Sequence, residues 1–247
     1  MTWGFFSLTH IITLLLAVMM IVGLYYILKN KTAKTQTIVL GILSFSGIAA
    51  IIFNLVMWGS PLEYLPLHLC SLNAMVLPIA VFTRNKKLNN LLLLWSLGAI
   101  LAVVVNSAQA NYEIFSWTFA FYYFPHVLEF GIPILMFKLG LVEKDIKCVK
   151  TTLLVTMITY TAVHCINLAL NAYLSNNNIL DYAGNLIQVN YMYSIVPENP
   201  VLSLLFSILP YEYWYMYLAL PMILLYLLPM YWREVGESVR LRRSRNS

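Results

Sequence analysis

The stretch Leu65-Pro66-Leu67-His68-Leu69-Cys70-Ser71-Leu72-Asn73 sets an imidazole, a thiol and an amide side by side at the proline-marked opening of an apolar run. Two further polar groups interrupt later apolar runs: His126 with Glu129, and His164 with Asn167 and Asn171. Ionisable and hydrogen-bonding groups are costly in hydrocarbon, so clusters of them are functional-site candidates by default. A thiol, an imidazole and a carboxylate are the parts of a Cys–His–acid nucleophile. The base takes the thiol proton, the thiolate attacks an acyl carbonyl, and the acid fixes the imidazole tautomer. On this reading Cys70 is the nucleophile, His126 the base and Glu129 the orienting acid. Asn73 or a backbone amide near Pro66 supplies the oxyanion donor.

These groups must be positioned by helices that live in a membrane. Of the 247 residues, 61% are hydrophobic and only 10% charged, against about 25% charged in a soluble domain. The apolar runs are continuous, which excludes the alternation of a transmembrane β-barrel. The chain is therefore all-α, a polytopic membrane bundle of about seven helices in a single domain, residues 1–247. The spans are expected at Phe5–Leu28, Gln36–Trp58, Pro66–Thr83, Leu88–Asn106, Trp117–Phe137, Thr151–Leu174 and Tyr213–Trp232, each near the length that a bilayer requires. The first run lacks a basic flank and a small-residue cleavage pattern, so it reads as a retained helix and not a signal peptide.

Charge alternates from connection to connection. Lys29, Lys31 and Lys34 fill the first, Arg84, Lys86 and Lys87 the third, and Lys138, Lys144, Lys147 and Lys150 the fifth. Arg233, Arg240, Arg242, Arg243 and Arg245 lie in the tail, 233–247. The even-numbered connections carry no basic residue and hold acids, among them Glu63, Glu113, Asp181 and Glu198. The positive-inside rule then puts the N-terminus outside and the C-terminus in the cytoplasm, as expected of a multi-pass protein of the cell membrane. The same distribution accounts for the net charge of +5 without a nucleic-acid partner. The long connection Ser175–Glu212 reads as an extracellular loop or lid, because its apolar piece Val201–Leu209 is too short to span.

Depth follows from about 1.5 Å per helical residue. His68 and Cys70 fall near the outer boundary. His126 and Glu129 lie a third to half of the way in, and His164, Asn167 and Asn171 in the outer half of their span. Cys70 with Asn73, and His126 with Glu129, are i,i+3 pairs that share a face. Pro125 and Pro133 bracket the His126 turn and free carbonyls beside it. The polar groups thus converge on an outer-leaflet pocket, where the natural acyl donor is a membrane phospholipid.

Simpler readings stand beside this one. Cysteine is among the most buried residue types and is usually inert packing. The same pocket suits a second class of function, the binding or transport of a small polar solute. Haem ligation by His126 and His164 is a third arrangement. The three cysteines show no CxxC spacing, so no metal and no cofactor are expected. Cys165 is the competing thiol.

LPLHLC at Leu65–Cys70, FPHVLE at Phe124–Glu129 and NYMY at Asn190–Tyr193 resemble the YwaF-type bacterial integral membrane family and its animal transmembrane acyltransferase relatives, over nearly the whole chain. In the animal branch the resemblance implies a cysteine acylated from a phospholipid, a histidine in a following span, and acyl transfer to a lysophospholipid. Those positions match Cys70 and His126. The chain is accordingly expected to be a thiol-dependent phospholipid acyltransferase or acyl hydrolase. Its partners would be a membrane phospholipid or lysophospholipid, with Asn73, His68, His164, Asn167, Asn190, Tyr191 and Tyr193 as substrate-binding residues. The chain departs from the family where a Lys-Pro pair commonly follows NYMY; here the residues are Ser194-Ile195-Val196-Pro197.

Overall fold

The computed structural model describes residues 1–58, 62–105, 107–181 and 184–245. Nine α-helices are found among them. They are α1 (Leu8–Leu28), α2 (Ala33–Ser44), α3 (Ser46–Trp58), α4 (Leu69–Thr83), α5 (Lys86–Val104), α6 (Trp117–Lys138), α7 (Lys147–Asn176), α8 (Pro200–Ile208) and α9 (Leu220–Arg245). No strand occurs among the described residues; two isolated bridges pair Thr2 with Glu113 and Leu180 with Leu186. Asn106, expected to close the fourth span, lies outside the described residues.

Five helices are long and apolar enough to cross a membrane: α1, the near-continuous α2–α3 pair over Ala33–Met57, α5, α6 and α7. A sixth span results if Trp214–Leu227 and Pro229–Gly236, which meet at 64°, are counted as one. Pro229 accounts for that bend, since it lacks the N–H that would continue the helix. The expected third span is shorter than its apolar run. Only Leu69–Thr83 is helical, 15 residues or roughly 22 Å, less than the hydrocarbon thickness. Residues 62–68 enter it as irregular chain. Such backbone is tolerated at membrane depth only where protein covers it.

The core is built around α5. Asn89 to Ser96 are buried without interruption, so α5 is enclosed on every side and reads as apolar all round. α4 and α6 flank it, and Leu77, Val81, Leu92, Leu93, Ile132 and Met136 form the centre of the largest cluster. α1 packs chiefly on α6, touches α5 where His10 Nε2 meets the Val103 carbonyl at 2.9 Å, and leaves Leu15, Leu16, Val18 and Met19 exposed, as suits a helix whose solvent is lipid. Its approach is fixed at the N-terminal side by Trp3, which is fully buried and donates from Nε1 to Thr13 Oγ1 at 2.8 Å.

The basic connections are tied to one another by polar contacts. The Arg84 guanidinium donates to the Ala33 carbonyl at 2.7 Å and to Thr37 Oγ1. Lys86 pairs with Asp145 at 2.7 Å and Lys144 with Glu234 at 3.3 Å. Asn90, itself buried, accepts from the Asp145 N–H and the Tyr231 hydroxyl. The Lys86 ammonium, followed by the Lys147 N–H, holds the Asp145 carboxyl below the usual carboxylate range. A carboxyl depressed in the fold stabilises it above the unfolded value of about 3.9 and loses that contribution as pH falls through the folded one. Acid titration of thermal stability should therefore show a small step below about pH 4 that is absent from Asp145→Asn.

Candidate functional site

Cys70 is the second residue of α4, whose N-cap, His68, makes no side-chain capping bond. The first-turn N–H groups of a helix have no acceptor within it and offer donors to an anion. Burial is the main influence on the Cys70 sulfur, and the Ser71 hydroxyl and the backbone N–H groups of Ser71 and Cys70 itself are the donors beside it. A sulfur anion or an oxyanion formed there would meet aligned donors.

α6 presents His126 to the same region. His126 Nδ1 lies 2.6 Å from the carbonyl oxygen of Tyr122, and a carbonyl only accepts. Nδ1 therefore carries the proton, which leaves the Nε2 lone pair as the available base. The Tyr122 ring packs on the imidazole, centroids 4.4 Å apart, and its hydroxyl is tethered to the Ala102 carbonyl at 3.0 Å. The tautomer-setting part expected of Glu129 thus falls to a main-chain oxygen; among the described residues Glu129 makes no hydrogen bond to His126. The carboxylate does interact electrostatically with both His126 and Cys70. Tyr122 and Tyr193 each interact in the same way with Cys70. The thiol, the imidazole and the carboxylate therefore share one electrostatic cluster.

One turn deeper, Asn73 and Glu129 close the floor. Pro133 has no N–H for the Glu129 carbonyl four residues back, and Asn73 Nδ2 supplies a long substitute at 3.4 Å. Asn73 is fully buried and Glu129 is 4% exposed. Asn73 Oδ1 and Glu129 Oε2 make no hydrogen bond within the described chain. Gly47 of α3 lets this floor form. A Cβ on it would lie 2.5 Å from Ala74 Cβ and 2.7 Å from Glu129 Oε1.

The connection after α7 returns to the head of α4, where Tyr191, Met192 and Tyr193 meet His68, two residues before Cys70. After a turn around the Leu180–Leu186 bridge, residues 189–194 run along α7 and are bonded to it by two asparagines. Asn171 Nδ2 donates to the Val189 carbonyl and its Oδ1 accepts the Val189 N–H, at 2.9 and 2.8 Å. Asn167 does the same with Tyr191, at 2.8 and 3.0 Å, and also donates to Ser194 Oγ at 2.9 Å. The spacing explains the match. Helix residues four apart are about 6 Å apart along the axis, and chain residues two apart are at most about 6.6 Å apart. The side-chain amide, carrying one acceptor and two donors, stands in for a peptide group. His164 Nδ1 lies 3.0 Å from Ser194 Oγ.

Two residues of this strap, Met192 (φ 54°) and Tyr193 (φ 55°), are left-handed without being glycine. That costs roughly 1–2 kcal/mol each and persists only where the surroundings over-determine it. Here they do. His68 Nδ1 accepts the Met192 N–H at 3.3 Å, the Tyr215 hydroxyl donates to the Tyr193 carbonyl, and the Tyr191 hydroxyl donates to the Leu62 carbonyl. Asn190 gathers the turn that follows, accepting from the Ile195 N–H and donating to the Val196 carbonyl and to Glu198.

Of the residues expected to bind substrate, Asn73 and Tyr193 lie against the cluster, and His68 ties the strap to α4. Asn167, His164 and Asn190 direct their bonds into the strap, and the Tyr191 hydroxyl anchors it to residue 62. Sequence reasoning missed Gly47, Ser194, Tyr215 and the Tyr122 carbonyl. The Asn-x-x-x-Asn spacing on α7 was the signal for the strap's attachment. The rest carry no sequence signature. The competing thiol, Cys165, is exposed on α7, and no group of three or more metal-ligating side chains occurs among the described residues.

The chain matches the model of one protein family, the TMEM164 family, over residues 5–231. No curated protein and no solved structure matches it. The match covers nearly the whole length, and the chain belongs to the TMEM164 family, a family of transmembrane proteins.

Proposed function

We propose that this member of the TMEM164 family is a thiol-dependent phospholipid acyltransferase, with Cys70 as nucleophile and His126 as base. The observation that carries the reading is the His126 tautomer. The Tyr122 carbonyl holds the proton on Nδ1, so Nε2 is free to take the Cys70 proton within a cluster that also contains Glu129. The thiolate attacks the ester carbonyl of a membrane lipid, and the unpaired N–H groups at the head of α4 receive the oxyanion. The lysolipid leaves with the proton from His126, and Cys70 keeps the acyl group as a thioester. Glu129 lies near the imidazole without a hydrogen bond to it, and its part is to take up ionisation only as the imidazolium forms. By the positive-inside rule the acidic connections, and with them the strap over Cys70, face outward, and the donor is an outer-leaflet lipid.

Intact-mass spectrometry of protein taken from membranes tests this directly. The expected spectrum shows one added acyl mass, mapped to Cys70 and discharged by a lysophospholipid. An adduct on Cys165 alone, or turnover of acyl-lipid by a protein lacking any thiol adduct after rapid quenching, would overturn it.

A further inference from the structure

We propose that the Asn167–Asn171 ladder is a positioning device that holds the strap over Cys70 and thereby keeps water from the acyl-cysteine, so that the strap sets the ratio of acyl transfer to hydrolysis. The inference rests on the Cys70 reading above and adds to it the choice of second substrate. The thioester can be resolved by either of two O–H compounds. An alcohol oxygen attacks the thioester carbonyl, its proton passes to His126 Nε2, the C–S bond breaks, and the thiolate recovers the proton from His126. Water in the same role gives a free fatty acid with the same balance of atoms. The α4–α6 chemistry does not distinguish the two. Only what covers the sulfur can.

The strap covers it by an unusual construction. No sheet and no helix longer than one turn holds residues 189–194. Their path is set by side-chain amides on α7, at 2.8–3.0 Å. Asn167 and Ser194 have no exposed surface, so the Asn167 bonds are shielded from competing solvent, while the Asn171 pair is half-buried. Downstream of the ladder the chain turns through the left-handed pair Met192–Tyr193, whose second member interacts electrostatically with Cys70. Without the ladder that pair relaxes to the ordinary right-handed or extended regions, and Tyr193 swings away from the sulfur. Met192 N–H on His68 and the Tyr215 hydroxyl on the Tyr193 carbonyl are the remaining anchors. Asn167 and Asn171 are positioning residues here, acting through the backbone of Val189, Tyr191 and Ser194.

The test uses the full-length protein in vesicles of phosphatidylcholine with an added lysophospholipid acceptor, and measures free fatty acid against newly acylated lipid. In Asn171→Ala the acyl-Cys70 adduct should still form, while the ratio of free acid to transfer product rises roughly tenfold, the scale of losing the two part-buried hydrogen bonds to Val189. Tyr215→Phe, which removes a single hydroxyl from the other side of the strap, should move the ratio in the same direction, and it decides the matter if Asn171→Ala does not fold. A change in overall rate with an unchanged ratio in the folded variants overturns the proposal, because a merely structural role would lower both products together. Absence of any acyl-Cys70 in the unmodified protein is a different failure. It removes the nucleophile assignment, and the proposal with it.

Discussion

Cys70→Ala is expected to lower acyl-lipid turnover at least about a thousandfold, and His126→Ala to do the same, because removing either half of a nucleophile–base pair disables the unit. The double variant should be no worse than either single one, since the two act together and their losses do not add. Both side chains are half-buried and neither fills the main core cluster, so the variants should stay folded, as thermal unfolding in detergent would report. Labelling of Cys70 by a lipid-like thiol probe should also fall in His126→Ala. Turnover retained by Cys70→Ala would end the nucleophile assignment, and turnover lost only in Cys165→Ala would transfer it to α7. Glu129→Gln is a milder case. It keeps the shape and removes only the titratable oxygen beside the imidazole, so the rate should fall without being abolished.

Gly47→Ala should be the most damaging single-methyl change in the bundle's floor. The new carbon would sit 2.5 Å from Ala74 Cβ, 2.7 Å from Glu129 Oε1 and 3.3 Å from Ala74 Cα. The two Ala74 atoms belong to a helix that cannot yield locally, and the third to a buried carboxylate. Overpacking of this kind costs about 1–3 kcal/mol, and the relief available is to push α3 away from α4. Thermal stability and Cys70 labelling should therefore fall together. Gly23→Ala on α1 is the matched control. A Cβ there meets nothing within 4 Å, and alanine is the better helix former by about 1 kcal/mol. Equal effects of the two substitutions would mean that the Gly47 contact is not tight.

Five of the seven expected spans, or six with the bent pair, were legible in the sequence because bilayer thickness imposes a length on every apolar run. What shortened the third was not. Pro66 disfavours helix just before it, and the irregular entry is then held by the strap, with Tyr191 on the Leu62 carbonyl and Met192 on His68, over a hundred residues away. Facing was legible in part: Asn73 of α4 does meet Glu129 of α6, at its carbonyl. Roles were harder. His164, Asn167 and Asn171 share a helical face whether they line a pocket or grip a backbone, and periodicity cannot separate those uses. An asparagine amide offers the same donors and acceptors to a ligand and to a peptide group. Likewise the partner that sets the His126 tautomer is a main-chain oxygen, present at every residue and so invisible in the letters.

The strap's attachment also leaves a mark on exchange with deuterated solvent. Connections of this length usually trade their amide protons quickly, because nothing but water occupies them. Here the N–H groups of Val189 and Tyr191 are each capped by a carboxamide oxygen of α7. Those two amides should exchange more slowly than the exposed N–H groups of the same connection. Their lifetime then measures how often the cover over the sulfur lifts.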